Sequence, residues 1–250
     1  MDSPVSPTKP TWFHRPRSLS TPRMRLFCFP YAGGAATAFH SWPAELPDDV
    51  DVWAIALPGR SFRLREPPLR DMVHLLDALE PAMTAALDRP YAMFGHSMGA
   101  NIAFELARRL LARGLRPPMH LMLSGQRAPH LAAARTNVHR LPDLEFREHM
   151  RAFYGSRAQM LEDDELRNLI EPALRADLEL LETWTSPAGP PLPLPITTFA
   201  GSDDAGVDVG AVSAWRRYTH GAFSNHVLAG DHMFLHTAQR QLLALMSRML

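Results

Sequence analysis

From about residue 23 onward, short apolar runs alternate with longer segments in which apolar residues recur every three or four positions. The short runs are typical of buried strands, and the longer spacing is typical of amphipathic helices. Strands are predicted at 25–29, 52–56, 91–94, 120–124, 196–200 and 222–228. Helices are predicted near Trp42 and at 72–87, 101–113, 143–154, 165–185 and 239–249. The alternation predicts an α/β fold with a mainly parallel sheet and helices on both of its faces.

The same pattern divides the chain into a tail and one domain. Residues 1–22 are rich in Pro, Ser and Arg without periodicity, which favours a flexible N-terminal tail. Residues 23–250 are long enough to bury one sizeable core and are predicted to form a single domain. The stretch 125–190 interrupts the alternation with two helical patterns and ends in a Pro-rich connector. We expect it to form a helical lid insertion.

The lid carries apolar residues with two possible roles. They line either an acyl tunnel or the lid's own core. These residues are Met150, Phe153, Tyr154, Ile170 and Leu174.

A strand-to-helix connection within the domain carries the pattern Gly95-His-Ser97-Met-Gly99. Gly-x-Ser-x-Gly between a short strand and a helix is typical of the nucleophile elbow of α/β-hydrolases. In that turn the serine takes a strained backbone conformation that lifts its hydroxyl out of the sheet. We therefore predict Ser97 as the nucleophile, the alternative being an ordinary strand–turn–helix connection.

The partners of such a serine follow it in the order acid, then histidine. The strand predicted at 196–200 leads into Ser202-Asp203-Asp204, where Asp204 is favoured as the acid over Asp203 and Asp208. His232 follows the last predicted strand and is favoured as the general base over His226 and His236. His96, inside the elbow, is expected to be a packing or hydrogen-bonding residue there.

Backbone N–H groups are expected to stabilise the oxyanion. That of Met98 lies at the start of the helix after Ser97, and that of Ala32 lies in the Gly-containing loop after the first strand. The spacing of His232 and His236 could hold zinc on a helix, but Met233 stands where a zinc protease needs its catalytic Glu. We expect neither a metal nor a cofactor.

Composition excludes several other classes of protein. The formal net charge is zero, which gives no global attraction to nucleic acid or to an acidic membrane. No apolar run reaches the length of a membrane span. Cys28 is the single cysteine, lies in an apolar run and is expected to be a buried, inert thiol. The single lysine, Lys9, excludes a Ser–Lys dyad and a P-loop from the domain.

Five segments together resemble the type II thioesterases of polyketide and nonribosomal peptide assembly lines. The resemblance covers residues from about 25 to the C-terminus. The segments are Phe29-Pro-Tyr-Ala-Gly-Gly34, Leu57-Pro-Gly-Arg60 with Glu66-Pro-Pro68, Gly95-His-Ser-Met-Gly99, Gly201-Ser-Asp-Asp204 and Gly230-Asp-His-Met-Phe-Leu235. The resemblance implies an α/β-hydrolase fold with Asp204 as the acid.

The resemblance implies a cytoplasmic hydrolase that edits the acyl groups carried by a synthase. Such a hydrolase releases aberrant or stalled acyl groups from the phosphopantetheine arm of acyl or peptidyl carrier domains, and we expect it to be a monomer. A carboxylesterase or a medium-chain fatty-acyl thioesterase is the alternative, and a non-catalytic binding scaffold would require a missing catalytic residue.

The loop after the second strand offers one candidate contact with such a partner. It carries Arg60, Arg63 and Arg65, which could attract an acidic carrier protein. The alternative is a solvated loop, or one in which Arg60 pairs with Glu66.

Overall fold

The structure, a computed structural model, describes residues 12–131 and 137–250. Its strands are β1 (Phe13–His14), β2 (Met24–Phe29), β3 (Val50–Ile55), β4 (Tyr91–His96), β5 (Leu121–Ser124), β6 (Ile196–Gly201) and β7 (Phe223–Leu228). They form one sheet in the order β1-β3-β2-β4-β5-β6-β7. β1 pairs with β3 in the antiparallel direction, and the other neighbours pair in parallel. The predicted α/β fold with a mainly parallel sheet is confirmed.

Helices cover both faces of this sheet. They are α1 (Met72–Ala85), α2 (Met98–Ala112), α3 (Asp143–Tyr154), α4 (Asp164–Thr183), α5 (Val209–Ser213), α6 (Phe234–Thr237) and α7 (Gln239–Met246). The β3–β4 and β4–β5 connections run across the sheet in one direction and the β2–β3 connection in the other, so right-handed crossovers place them on opposite faces. Gln239 of α7 donates to Ser41 and Glu45 of the β2–β3 connection at 3.1 and 2.7 Å, which places α7 on that second face.

Aromatic clusters fix β4 and α2 from the two sides. The rings of Trp42 and Phe94 lie 4.9 Å apart on one side, and those of Phe104 and Trp215 lie 4.9 Å apart on the other. All four side chains are buried. Because burial of one such side chain stabilises the fold by roughly 1.5–3 kcal/mol, packing on both sides stabilises the junction between β4 and α2.

Residues 12–22 depart from the flexible tail expected there. Phe13 and His14 pair with Ile55 and Ala54 of β3, and the carbonyl of Trp12 accepts the N–H of Ala56 at 2.8 Å. A strand of two residues is too short to show a periodic pattern, which is why the sequence did not indicate it. Residues 1–11 of the expected tail lie outside the described residues.

α3 and α4 lie within the stretch 125–190, of which residues 132–136 are outside the described residues. The side chain of Asp163 caps α4 by accepting the N–H of Leu166 at 2.9 Å, and Asp164 and Glu165 complement the dipole of the first turn. Leu174, Asp177 and Leu180 form its buried stripe. Within the described residues, none of the helices combines the length and apolarity that crossing a bilayer demands.

Candidate active site

Ser97 occupies the sharp turn between β4 and α2. Its φ and ψ are 53° and −119°, a conformation that residues with a side chain seldom adopt. A Cβ atom at Gly95 would overlap the backbone of Gly99, and one at Gly99 would overlap the carbonyl of Phe29. Both positions therefore require glycine, which is the geometry predicted for the elbow.

The side chain of His232 lies beside that of Ser97. The distance between His232 Nε2 and Ser97 Oγ is 3.0 Å, and the two residues are 2% and 6% exposed. His232 reaches this position because its loop follows β7, whose carboxyl end lies at the same edge of the parallel sheet as that of β4. A serine hydroxyl at this distance can donate its proton to an imidazole.

Asp204 completes a series of three side chains. Its Oδ2 lies 2.7 Å from His232 Nδ1, and its Oδ1 accepts the N–H groups of Gly206 and Val207 at 2.9 and 3.0 Å. An ionised carboxylate only accepts, so His232 carries its proton on Nδ1 and leaves Nε2 free to accept from Ser97. Asp203, the alternative acid, is exposed and accepts the hydroxyl of Ser202 at 2.9 Å instead.

His96 connects β4 to the loop of His232. Its Nε2 lies 2.9 Å from the backbone carbonyl of His232, and its Nδ1 lies 2.9 Å from Ser124 Oγ. Because a carbonyl only accepts, Nε2 of His96 donates and Nδ1 accepts from the serine. Burial, and secondarily the neighbouring His232, hold the pKa of His96 well below its ordinary value, so the ring stays neutral.

Ala32 and Met98 lie on adjoining segments. Met98 is the first residue of α2, and Ala32 lies in a turn closed by a 2.8 Å hydrogen bond from the N–H of Gly34 to the carbonyl of Tyr31. The end of β2 packs against the first turn of α2 at Gly99. Their role as oxyanion donors stays a prediction.

An apolar cavity of about 80 Å³ lies next to these residues. It is lined by Ala32, by Met233 next to His232, and by side chains of α3, of α4 and of the segment between them. Of the five lid residues singled out in the sequence, Tyr154, Ile170 and Leu174 line it. Met150 is buried at 1% exposure in the hydrophobic core, and the ring of Phe153 lies 4.4 Å from that of His232.

The prediction that the loop after β3 forms a cationic docking surface is wrong for two of its three arginines. The side chain of Arg60 is buried and pairs with Asp177 of α4, not with Glu66. The side chain of Arg63 is also buried and pairs with Glu66 at 2.6–2.8 Å. Since both guanidinium groups are neutralised inside the protein, they cannot steer an acidic partner from the surface.

Two contacts of α3 and α4 with the turn after β2 were not predicted from the sequence. The hydroxyl of Tyr154 donates to the carbonyl of Ala32 at 3.2 Å, and Asp177 accepts the N–H of Gly33 at 2.7 Å. The available signal was Asp177 itself, a carboxylate placed between Leu174 and Leu180 on an apolar helix stripe. Buried carboxylates are almost always paired, so that position required a partner.

His232 and His236 have a spacing that could hold zinc on a helix. Both ring nitrogens of His232 are engaged, by Ser97 and by Asp204. Across residues 12–131 and 137–250, no group of three His, Cys, Asp or Glu side chains has a geometry that could hold a metal ion.

Comparisons with known proteins identify the family of this chain. Residues 24–250 match the thioesterase domain family. The chain is similar to the gramicidin S biosynthesis protein GrsT of Aneurinibacillus migulanus, 36% identical over 239 residues that cover 96% of this chain and 93% of GrsT. It is also similar to the medium-chain S-acyl fatty acid synthase thioesterase of Rattus norvegicus, 34% identical over 217 residues that cover 84% of this chain and 81% of the rat protein.

A solved structure shows the same architecture. The type II thioesterase BorB from the borrelidin biosynthetic cluster matches with a TM-score of 0.88 and 36% identity, covering 95% of this chain and 97% of BorB. The family model matches nine-tenths of the chain, and BorB shares its mostly parallel sheet with helices. The chain therefore belongs to the thioesterase domain family and is a thioester hydrolase.

Proposed function

We propose that this hydrolase removes aberrant or stalled acyl groups from the phosphopantetheine arm of acyl or peptidyl carrier domains in polyketide or nonribosomal peptide synthases. The observation that carries the chemistry is the hydrogen-bonded series of Ser97, His232 and Asp204. The similarity to BorB and GrsT supports the carrier-bound substrate. The catalytic unit is one domain spanning residues 23–250, with the stretch 125–190 as its lid.

In the first half-reaction, Ser97 Oγ attacks the thioester carbonyl while His232 Nε2 takes its proton. Asp204 stabilises the imidazolium that forms and keeps the ring in its productive orientation. The negative charge that develops on the carbonyl oxygen is stabilised by the N–H groups of Ala32 and Met98. Collapse of this intermediate expels the pantetheine thiolate, which receives the proton from His232, and leaves an acyl ester on Ser97.

In the second half-reaction, water replaces the thiol. His232 removes a proton from the water as it attacks the acyl ester, and then returns that proton to Ser97 Oγ as the carboxylic acid leaves. Each proton moves between Ser97, His232 and a substrate or product atom, so this mechanism draws on no cofactor. We propose that the enzyme acts in the cytoplasm and as a monomer.

The test of this function compares three leaving groups on one acyl group. The same short acyl chain is presented on a holo-carrier protein, on free pantetheine and as a matched oxoester, and the acid released is measured. We expect kcat/KM to be highest for the carrier-bound thioester and lowest for the oxoester. An oxoester hydrolysed faster than both thioesters would instead identify a carboxylesterase.

A second candidate, hydrolysis of medium-chain fatty-acyl thioesters, is favoured by the similarity to the rat enzyme. It differs in the length of the acyl chain. Carrier-bound acyl groups of two to twelve carbons separate the two candidates. A kcat/KM that rises toward ten or twelve carbons supports fatty-acyl release, whereas a preference for the shortest chains supports editing.

A further inference from the structure

Two side chains of the lid hold a single peptide group of the turn after β2. The hydroxyl of Tyr154, the last residue of α3, donates to the carbonyl oxygen of Ala32 at 3.2 Å. Asp177, in α4, accepts the N–H of Gly33 on its Oδ2 at 2.7 Å. This carbonyl and this N–H belong to the same planar peptide group. The lid therefore fixes both ends of the peptide group that follows Ala32.

The peptide group that precedes Ala32 is fixed as well. Its carbonyl, from Tyr31, accepts the N–H of Gly34 at 2.8 Å, and its other end is the N–H of Ala32. The backbone of a residue has two soft dihedral angles, and the peptide groups on its two sides define both of them. The direction of the Ala32 N–H is thus set by the closed turn on one side and by the lid on the other.

The carboxylate of Asp177, which accepts the N–H of Gly33, is buried and forms an ion pair. Arg60 donates to both of its carboxylate oxygens, with an NH2–Oδ1 distance of 2.8 Å, and the side chains of the pair are 9% and 3% exposed. Arg60 also donates to the carbonyl of Gly34 at 3.4 Å, so the guanidinium touches the same turn. A bidentate pair of this kind has a defined geometry, and a lone carboxylate would be costly to bury here.

The lid also lies directly on the turn. Gly33 has a φ of +72°, and a Cβ atom there would be 3.0 Å from Cδ1 of Leu174 on α4. Burial raises the pKa of Tyr154 far above its ordinary value, with a further contribution from the nearby Asp177. The Tyr154 hydroxyl consequently keeps its proton and its role as donor.

We propose that Tyr154 and Asp177 are positioning residues for the oxyanion donor Ala32, so that docking of the lid and completion of the oxyanion hole are one event. The inference rests on the proposed function, in which Ser97 is the nucleophile. The hydrogen bonds among Ser97, His232 and Asp204 involve no atom of the lid. A lid that moves away therefore breaks none of these hydrogen bonds, although it takes the ring of Phe153 from beside His232, and it releases the turn that carries Ala32.

Selection of the acyl group follows from this coupling. The cavity under the lid is lined by Tyr154 together with Ala32 and Gly33, so an acyl chain in the cavity contacts both the lid and the turn. A chain that fits allows the lid to dock and Ala32 to align, and one that is too large keeps the turn released. Binding energy is in this way converted into rate, as in other enzymes that close on the correct substrate.

The test uses Tyr154→Phe, which removes one hydroxyl and keeps the ring. Tyr91→Phe is the matched control, because the Tyr91 hydroxyl is buried and donates to a backbone carbonyl, that of Arg116, at 2.7 Å, at the opposite end of β4. Three quantities are measured: kcat and KM on an acyl thioester, the affinity of a trifluoromethyl ketone analogue, and the affinity of a thioether analogue. The ketone forms an oxyanion on addition of Ser97, whereas the thioether reports only ground-state binding.

We expect Tyr154→Phe to lower kcat/KM and to weaken the ketone by the same factor, about tenfold, with thioether affinity unchanged. Tyr91→Phe should change none of the three. Asp177→Asn should also lower kcat/KM and ketone affinity, provided that circular dichroism and thermal unfolding show that it folds. If it does not fold, the result for Tyr154→Phe alone tests the inference. Equal weakening of the thioether and the ketone, or an unchanged ketone affinity, would overturn the inference.

The wild-type protein separates this inference from the function on which it rests. A wild-type enzyme that neither hydrolyses the thioester nor binds the ketone would contradict the proposed function itself. A wild-type enzyme that does both, with a Tyr154→Phe variant that keeps its full ketone affinity, would contradict the positioning role alone.

Discussion

The ring of His96 donates a hydrogen bond to the backbone carbonyl of His232, with an Nε2–O distance of 2.9 Å. His96 directly precedes Ser97, so the strand that carries the proposed nucleophile is bonded to the loop that carries the proposed base. Burial favours the neutral ring, which donates through Nε2 and accepts from the Ser124 hydroxyl through Nδ1. The relative position of the proposed nucleophile and the proposed base is thus fixed in part by a buried histidine.

The first prediction is a pH dependence of stability. Because the folded-state pKa of His96 is lowered, the unfolded chain binds a proton that the folded chain does not. The contribution of His96 to the free energy of unfolding is fully present above the unfolded pKa of about 6.5. As the pH falls below that value, the free energy of unfolding decreases by up to about 1.4 kcal/mol per pH unit. Denaturant unfolding between pH 7.5 and 5 measures it.

A His96→Gln variant isolates that contribution from the other titrating groups. We expect its free energy of unfolding to fall less steeply than that of the wild type over the same pH range. His74→Gln, at an exposed position on α1, is the control and should keep the wild-type slope. Parallel curves for His96→Gln and the wild type would mean that His96 does not resist protonation.

The second prediction concerns the choice between two adjacent aspartates. Asp204→Asn should lower kcat by roughly 10⁴-fold, because an amide in this place no longer holds the productive tautomer of His232. Asp203→Asn, the matched control at an exposed position, should stay within about twofold of the wild type, because surface changes are usually small. Steady-state kinetics of the two variants decide between them, and the reverse ranking would move the acid to Asp203.

The third prediction separates the cavity from the core of the lid. Ile170→Phe adds volume to the lining of the cavity and should lower kcat/KM for long acyl chains at least about tenfold more than for acetyl. Met150→Ala empties a core position instead and should lower the free energy of unfolding by about 2–5 kcal/mol, with the chain-length profile unchanged. A uniform loss across chain lengths for Ile170→Phe would show that this residue does not select the acyl group.

The fourth prediction concerns the glycines of the chain. Gly95→Ala should destabilise the protein by far more than 1–2 kcal/mol, since the new Cβ would overlap backbone atoms of Gly99 and Ala100. Gly114→Ala should cost only about 1–2 kcal/mol, because φ is +69° there and nothing lies within 4 Å of the new atom. Thermal unfolding compares the two, and equal destabilisation would contradict the close packing of the elbow.

Much of this site could be predicted because each proposed catalytic side chain follows a strand of a parallel sheet. The carboxyl ends of such strands meet at one edge, so the strand pattern, the order nucleophile, acid, histidine and the family resemblance together placed Ser97, Asp204 and His232 side by side. The pairing of Arg60 with Asp177 was not predicted, because it joins residues 117 positions apart, one of them in the insertion. Periodicity along the chain does not indicate how an insertion packs on a loop. It also did not indicate β1, a strand of two residues that pairs with the distant β3.

The central claim is that Ser97 carries the acyl group through the reaction. It is tested most directly by measuring the rate at which the Ser97→Ala variant releases acyl groups from a holo-carrier protein. The variant removes one buried hydroxyl at the elbow, so its circular dichroism and thermal unfolding should match those of the wild type. Its kcat should be at least about 10³-fold lower, because the residues of such a unit act together. No acyl-enzyme adduct should appear in its intact mass, because the hydroxyl that would carry the acyl group is absent. Release at close to the wild-type rate, or an acyl adduct on another residue, would contradict the account.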